Sequence, residues 1–356
     1  MKSNHVLYIR NTLAGLLVTV FFLWLALRGV SFDLIDTTLN SIRWVYLILP
    51  LMIWGVGLIA RAMRWRLLLN NKLTPRDSLS VIGIVYMLNA TIPFRAGELA
   101  RLYLVARSGK EISGWTVLTT VLTETILDML SIVLLLTMII PFLAISKATI
   151  VTGLLIGLVF AVGFIVLLIF ARRPQIAHSI LDGINRIFPP LGRLPLRSLL
   201  DKLLQGIMPL AKWRTLILAL LWTSLIWGST VLAIWSASLA IPQFSFSGDL
   251  PAGLVLVLVS TSLGAIVPFT MAGVGPFEAG VVFGLGVVGI SQEVAVTFGI
   301  ILHVLMILHF ILWGMIGILT LRLSLIDIRG LTTYIRLKLF PPETKTTPMD
   351  IKSQEI

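Results

Sequence analysis

Arg95, Glu98 and Arg101 fall at i, i+3 and i+6 in a stretch where Pro93 and Gly97 interrupt an apolar run. Arginine offers a planar fork of donors that matches phosphate oxygens. A helix restarting after a break adds unpaired N–H groups and the positive end of its dipole. Phosphate binding is therefore the chemistry this spacing suggests. Two plainer roles fit the same residues: Glu98 neutralising an arginine as a structural clasp, and Arg101 resting at the cytoplasmic interface.

Glu124 and Asp128 stand four residues apart on one helical face, about 9 and 13 residues into an apolar run. Two like charges there require Arg95 or Arg101 as partners, or one of the carboxyls must be protonated. They serve as counter-charges, as a proton-coupling site, or as a packing ion pair. A second interruption carries Gly273, Gly275 and Glu278. The glycines permit a tight turn near a ligand. Glu278 follows Pro276 in a first helical turn, where it balances charge, couples protons or simply caps the helix. His303 and His309, six positions apart, do not share a face, so no joint metal site is expected, and a lone intramembrane histidine serves either by bonding a neighbour's carbonyl or by relaying protons.

The elements that must position these groups are apolar and long. Full-length apolar segments read at about 12–30, 44–62, 115–140, 148–171, 215–241 and 294–321, near the roughly 20 residues of a bilayer crossing. The first is longer than a signal-peptide core and lacks a cleavage pattern, so it is expected to be retained. Residues 79–107 and 251–290 are apolar but broken in the middle. Broken helix in a bilayer survives only when buried in protein or lining a wet cavity.

Basic residues set the orientation. Lys2 and Arg10 place the N-terminus in the cytoplasm, and Asp33 and Asp36 mark the next loop as external. Arg61, Arg64, Arg66, Lys72 and Arg76 mark the return inside, and Arg107 and Lys110 mark the same side. Residues 79–107 therefore form a re-entrant hairpin. Residues 172–214, with eight Lys/Arg and two Asp, read as a cytoplasmic segment whose stretch 198–210 forms an amphipathic surface helix. The loop from Gln243 to Asp249 and the stretch Ser291-Gln292-Glu293 contain no Lys or Arg, so the second hairpin enters from outside. Residues 44–140 and 215–321 then form an inverted-topology repeat, an arrangement that places binding sites near the midplane. The C-terminus is cytoplasmic, and residues 341–356 read as a disordered tail after one transmembrane domain, 1–340.

Composition agrees. The chain is 57% hydrophobic and 12% charged, with mean hydropathy +1.00, against about 25% charged in soluble domains. The fold class expected is all-α: a polytopic membrane protein with about six full transmembrane helices plus two re-entrant broken-helix hairpins. The absence of cysteine excludes disulfides and thiol chemistry. The net charge of +12 gathers at segment ends, which suits topology and anionic lipid better than nucleic acid. No HExxH, DxD or Gly-rich nucleotide loop is present, so neither cofactor, metal nor catalysis is expected.

The pattern Pro93-x-Arg95-x-Gly97-Glu98-x-x-Arg101, then Glu124 with Asp128, then Gly273-x-Gly275-x-x-Glu278, resembles the transmembrane flippase domain of lysylphosphatidylglycerol synthases. The resemblance covers roughly residues 10–325. It departs at Thr125 and Phe277, where the family pattern has basic residues. It implies a translocating unit without the aminoacyl-transferase domain, in the cell (inner) membrane. The expected ligand is a phospholipid or polyprenyl-linked lipid, held by Arg95, Gly97, Glu98, Arg101, Gly273 and Gly275. Glu124, Asp128 and Glu278 would balance charge or couple protons. A transferase acting on lipid-linked substrates and an accessory subunit of envelope assembly remain as alternatives, and the oligomeric state stays open, a homo-oligomer included.

Overall fold

The computed structural model describes residues 17, 19–92, 95–142, 147–188, 196–242, 250–264, 270 and 272–339, and every regular element among them is helical. Lys2, Arg10, Pro93, Phe94, Pro189, Pro190, Pro195, the loop from Gln243 to Asp249, Pro268, Phe269 and the tail 341–356 lie outside the described residues.

Residues 19–27 are helical, and a short helix, α1 (Phe32–Asn40), follows. The first long helix is α2 (Ile48–Leu68), entered through a 3-10 turn at Trp44–Leu47. The first broken segment becomes α3 (Pro75–Thr91) and α4 (Ala96–Arg107). Then come α5 (Gly114–Ile139) and α6 (Lys147–Arg172). Two amphipathic helices, α7 (Pro174–Ile187) and α8 (Leu196–Ile207), lead to α9 (Trp213–Ser238). The second broken segment becomes α10 (Leu250–Gly264) and α11 (Pro276–Val287). The chain continues through α12 (Gln292–Thr320) to α13 (Leu325–Leu339).

Sequence chemistry sets these ends. Pro75 opens α3 behind Thr74, whose Oγ1 accepts the Asp77 N–H at 3.1 Å. Ser113 caps α5 in the same way through the Thr116 N–H. Pro174 turns the chain by 107° between α6 and α7.

Among the described residues, the helical stretches Trp44–Leu68, Gly114–Ile139, Trp213–Ser238 and Gln292–Thr320 are long and apolar enough to cross a membrane; the bent α6–α7 pair makes a fifth. By contrast α10 has 15 residues and α11 has 12, about 22 and 18 Å, too short for a hydrocarbon core of about 30 Å. The surface follows membrane logic. Large apolar side chains such as Met52, Val159 and Leu319 point outward, while Arg64 and Arg101 are buried.

One boundary differs from expectation. The second apolar segment was expected to end near residue 62, with Arg61 and Arg64 as inside-facing loop charges. Instead α2 continues to Leu68, and both arginines belong to the helix. Leu67 to Leu69 keep the run apolar after them, and Leu68 and Leu69 are buried.

Packing places the two hairpins face to face across a central pair. Helix α2 lies along α9, α3 along α12, and α10 folds closely on α11. The α3–α12 approach needs Gly83: a Cβ there would stand 2.5 Å from the Trp313 carbonyl oxygen. Helix α10 is buried on all sides from Ala252 to Val259 and forms the centre of the larger core.

Helix α13 docks on α4. Leu331 and Ile335 pack with Ala96 and Ala100, and Arg107 pairs with Asp327. The Ser324 N–H donates to Asp327 Oδ2 at 2.8 Å. That amide first, and the Arg107 guanidinium with it, hold the Asp327 carboxyl below the usual aspartate range. Its contribution is therefore present above the ordinary aspartate pKa and is lost as pH falls through the lowered one. The protection of α13 amides, taken relative to their intrinsic exchange rate at each pH, should fall in the wild type only at strongly acid pH. In Asp327→Asn protection should be lower already at neutral pH and show no further acid-dependent loss from this contact.

Candidate functional site

Helices α2, α4 and α5 converge on a cavity of about 390 Å³. Helix α5 contributes Glu124 and Asp128 from one face, α2 contributes Arg61 and Arg64, and α4 contributes Glu98 and Arg101. Arg95 lines the cavity from the residue just before α4, with φ 52° and ψ 42°. That left-handed conformation is rare for a long side chain and marks a place where surrounding structure imposes the backbone.

The charges form a chain. Arg101 Nη1 donates to Glu124 Oε2 at 2.5 Å. Arg64 reaches toward Glu124 Oε1 at 3.9 Å and holds Asp128 with two donors, at 2.7 and 3.1 Å. Arg64 also donates to Thr223 Oγ1 of α9 at 3.0 Å. Arg64 is 1% exposed and Arg101 3%. Such burial is sustainable only with this pairing, because an unpaired ion out of water costs several kcal/mol. Trp65 stacks on Arg101 at 4.8 Å and anchors its own Nε1–H on Thr120.

Arg61 is held differently. Its guanidinium lies between the rings of Tyr86 and Trp227, at 5.5 and 5.7 Å. Its carboxylate neighbour, Asp128, stands 3.7 Å away and is already taken by Arg64. Among the described residues Arg61 is thus fixed by aromatic faces and one long ion pair, and it lines the cavity. Further valences are open: Glu98 Oε2, Arg64 Nε and Arg101 Nε are buried without a hydrogen-bond partner among the described residues, although Glu98 and Arg101 lie within 3.4 Å.

The second hairpin supplies the opposite wall through Thr270, Ala272, Gly273 and Phe277. Ala272 has φ 54°, so each break holds a non-glycine residue in the left-handed region. Gly275 does not line the cavity. Its φ is 94°, a Cβ there would meet the Thr19 carbonyl at 2.7 Å, and its N–H donates to Glu278 Oε2 at 2.7 Å. Glu278 is buried behind the wall, with Oε1 2.6 Å from His303 Nδ1. Gly97 likewise sits behind the cavity. Its N–H donates to Asn89 Oδ1 at 2.8 Å, and a Cβ would crowd that oxygen. The structure therefore brings Arg95, Glu98, Arg101, Glu124, Asp128 and Gly273 to one cavity and places Gly97, Gly275 and Glu278 in its supporting turns.

Arg61 and Arg64 are functional candidates that sequence reasoning passed over, and the partner of His303 is one that it did not find. The arginines look like topology charges because Arg66, Lys72 and Arg76 follow them. Their signal is the i, i+3 spacing inside an apolar run that does not stop. His303 does bond a carbonyl, that of Ala272 at 3.1 Å, and its second nitrogen faces Glu278.

Truncating one partner of the buried chain leaves the other stranded. Asp128→Ala should cost about 3–5 kcal/mol of stability. The double variant Arg64→Met with Asp128→Leu should cost clearly less, because the fully buried Arg64 guanidinium is no longer stranded; Arg61 loses only its long contact to Asp128. Thermal unfolding in detergent measures both.

The family model described as Lysylphosphatidylglycerol synthase TM region matches residues 12–314, which spans both hairpins and every charged residue of the cavity. No curated protein matches the chain.

Proposed function

Because the chain belongs to the family of the lysylphosphatidylglycerol synthase transmembrane region, we propose that it moves a membrane lipid between leaflets by holding an anionic, phosphate-bearing headgroup in the central cavity. The observation that carries this reading is Arg61: a guanidinium clamped between two aromatic rings, with its nearest carboxylate already engaged by Arg64. A planar donor fork fixed in that way suits phosphate oxygens. The formal charges agree. Four arginines (61, 64, 95 and 101) face three carboxylates (98, 124 and 128) around the cavity, an excess of one positive charge.

In this reading Arg64 and Arg101 are held by Asp128 and Glu124 and shape the site, while Arg61 and Arg95 meet the headgroup. The acyl chains stay in lipid. The ligand is a phospholipid or a polyprenyl-linked lipid, and it leaves chemically unchanged. The order α2, α3–α4, α5 recurs as α9, α10–α11, α12, and the charge pattern gives the two sets opposite orientations. Rocking of these inverted halves about the cavity would expose it to each leaflet in turn. The positive-inside pattern of the loops supports both termini in the cytoplasm, and a bacterial-type cell membrane is the membrane proposed.

Arg61→Gln tests the reading. Loss of a charge-assisted hydrogen bond of about 1.5–3 kcal/mol should slow lipid movement at least tenfold in reconstituted liposomes carrying labelled anionic phospholipid. Thermal stability should fall far less than in Asp128→Ala, since Arg61 makes one long ion pair and two ring contacts that the glutamine side chain partly keeps. Undiminished movement by Arg61→Gln would remove the headgroup site. A chemically altered lipid recovered from the liposomes would identify a transferase instead.

A further inference from the structure

We propose that His303 and Glu278 form a proton-binding site, and that the proton held there is the coupling ion of the translocation proposed above, on which this inference rests. The argument is one of counting hydrogens. His303 Nε2 lies 3.1 Å from the Ala272 carbonyl oxygen. A carbonyl only accepts, so Nε2 carries a hydrogen. Nδ1 lies 2.6 Å from Glu278 Oε1. The other carboxylate oxygen, Oε2, accepts the Gly275 N–H. A contact of 2.6 Å between a ring nitrogen and a carboxyl oxygen requires a hydrogen between them. Imidazole and carboxyl together thus hold two hydrogens and are neutral as a pair, whichever of them owns the shared one.

Removing one proton changes the connectivity. The neutral ring then has a single N–H to offer two oxygens, so either Ala272 or Glu278 loses its donor. The pair also becomes an anion in a site where His303 is 2% and Glu278 7% exposed, and unpaired buried charge is costly. The contact between α12 and the turn at 272–275 therefore depends on proton occupancy.

This latch adjoins the headgroup site. Ala272, Gly273 and Phe277 line the cavity, and the Phe277 ring stacks on His303 at 4.4 Å. An anion in the cavity favours the neutral, protonated pair behind the wall, and by reciprocity the proton favours the anion. Lipid anion and proton then move together.

Other titratable groups on the packed elements face elsewhere among the described residues. Tyr86 of α3 lies on Arg61 and Phe310. Arg61 and Arg64 of α2 face Asp128. His309 of α12 sits against Trp54 and Trp313, Glu293 is at the start of the same helix, and Asp33 and Asp36 of α1 are exposed. Glu124 and Asp128 are each engaged by a guanidinium, of Arg101 and Arg64.

Glu278→Gln separates the proton from the latch. The glutamine amide donates to Nδ1 of a neutral His303 while its oxygen accepts the Gly275 N–H, so every hydrogen bond persists without the removable proton. In liposomes with labelled anionic phospholipid, the wild type should move lipid several-fold faster under a pH difference of one sign than at equal pH. Glu278→Gln should move it at one rate in all conditions. A wild type indifferent to the gradient, or a variant that keeps the response, would overturn proton coupling while leaving translocation standing. If the wild type moves no lipid at any pH, the translocation reading fails, and with it the coupling role. The proton site is then judged by nitrogen NMR of isotope-labelled histidine in the full chain. A step in which the His303 ring loses its shared hydrogen, absent in Glu278→Gln, supports the site; no such step in the wild type overturns it.

Discussion

A guanidinium buried away from water must meet a carboxylate, and that requirement organises the centre of this protein. Arg101, Glu124, Arg64 and Asp128 form an alternating row in which each arginine is held by at least one acid. The row joins helices that are far apart in sequence. α4 brings Arg101, α5 both acids, α2 Arg64, and α9 the hydroxyl of Thr223. Hydrocarbon around the bundle strengthens the demand, since no water outside competes for these groups. Taking one member away removes a crosslink and also leaves its partner as a lone ion.

The same constraint explains why the cavity is polar on one side and ringed by aromatic and aliphatic groups on the other. Paired arginines need not be available to a ligand, and Arg64 and Arg101 are consumed in this way. Arg61 differs because Tyr86 and Trp227 flank its guanidinium and its ion pair to Asp128 is long. The two breaks then serve a common geometric purpose. Each stops a helix within the bundle and turns the chain through a left-handed residue, Arg95 or Ala272. Each also starts a new helix beside the cavity. The supporting turns use Gly97 and Gly275 to let backbone approach backbone, and their amides bond to Asn89 and Glu278.

Much of this was legible in the sequence, for physical reasons. Apolar runs of crossing length and their interruption by Pro and Gly have few alternatives in a bilayer, so the helices and both hairpins follow from composition and punctuation. The i, i+4 spacing of Glu124 and Asp128 put both acids on one face, and the partner of Glu124 is one of the arginines expected. The partner of Asp128 was hidden. Arg64 lies among basic residues that read as a topology signal, and charge near a helix end carries no mark of whether it turns inward. The partner of His303 was hidden for a related reason. Spacing along α12 relates this histidine to His309, while its actual neighbour, Glu278, sits on another helix. Contacts between elements set such pairs, and one-dimensional periodicity does not encode them.

The central claim is that a phosphate sits against the Arg61 guanidinium, deep between the hairpins. The most direct measurement is the position of lipid density in an experimental structure of the full chain embedded in a nanodisc rich in anionic phospholipid. The account predicts a headgroup within hydrogen-bond reach of the Arg61 guanidinium, with its acyl chains leaving the cavity sideways into the bilayer. Headgroups found only along the outer rim, with the cavity holding solvent alone, would contradict it.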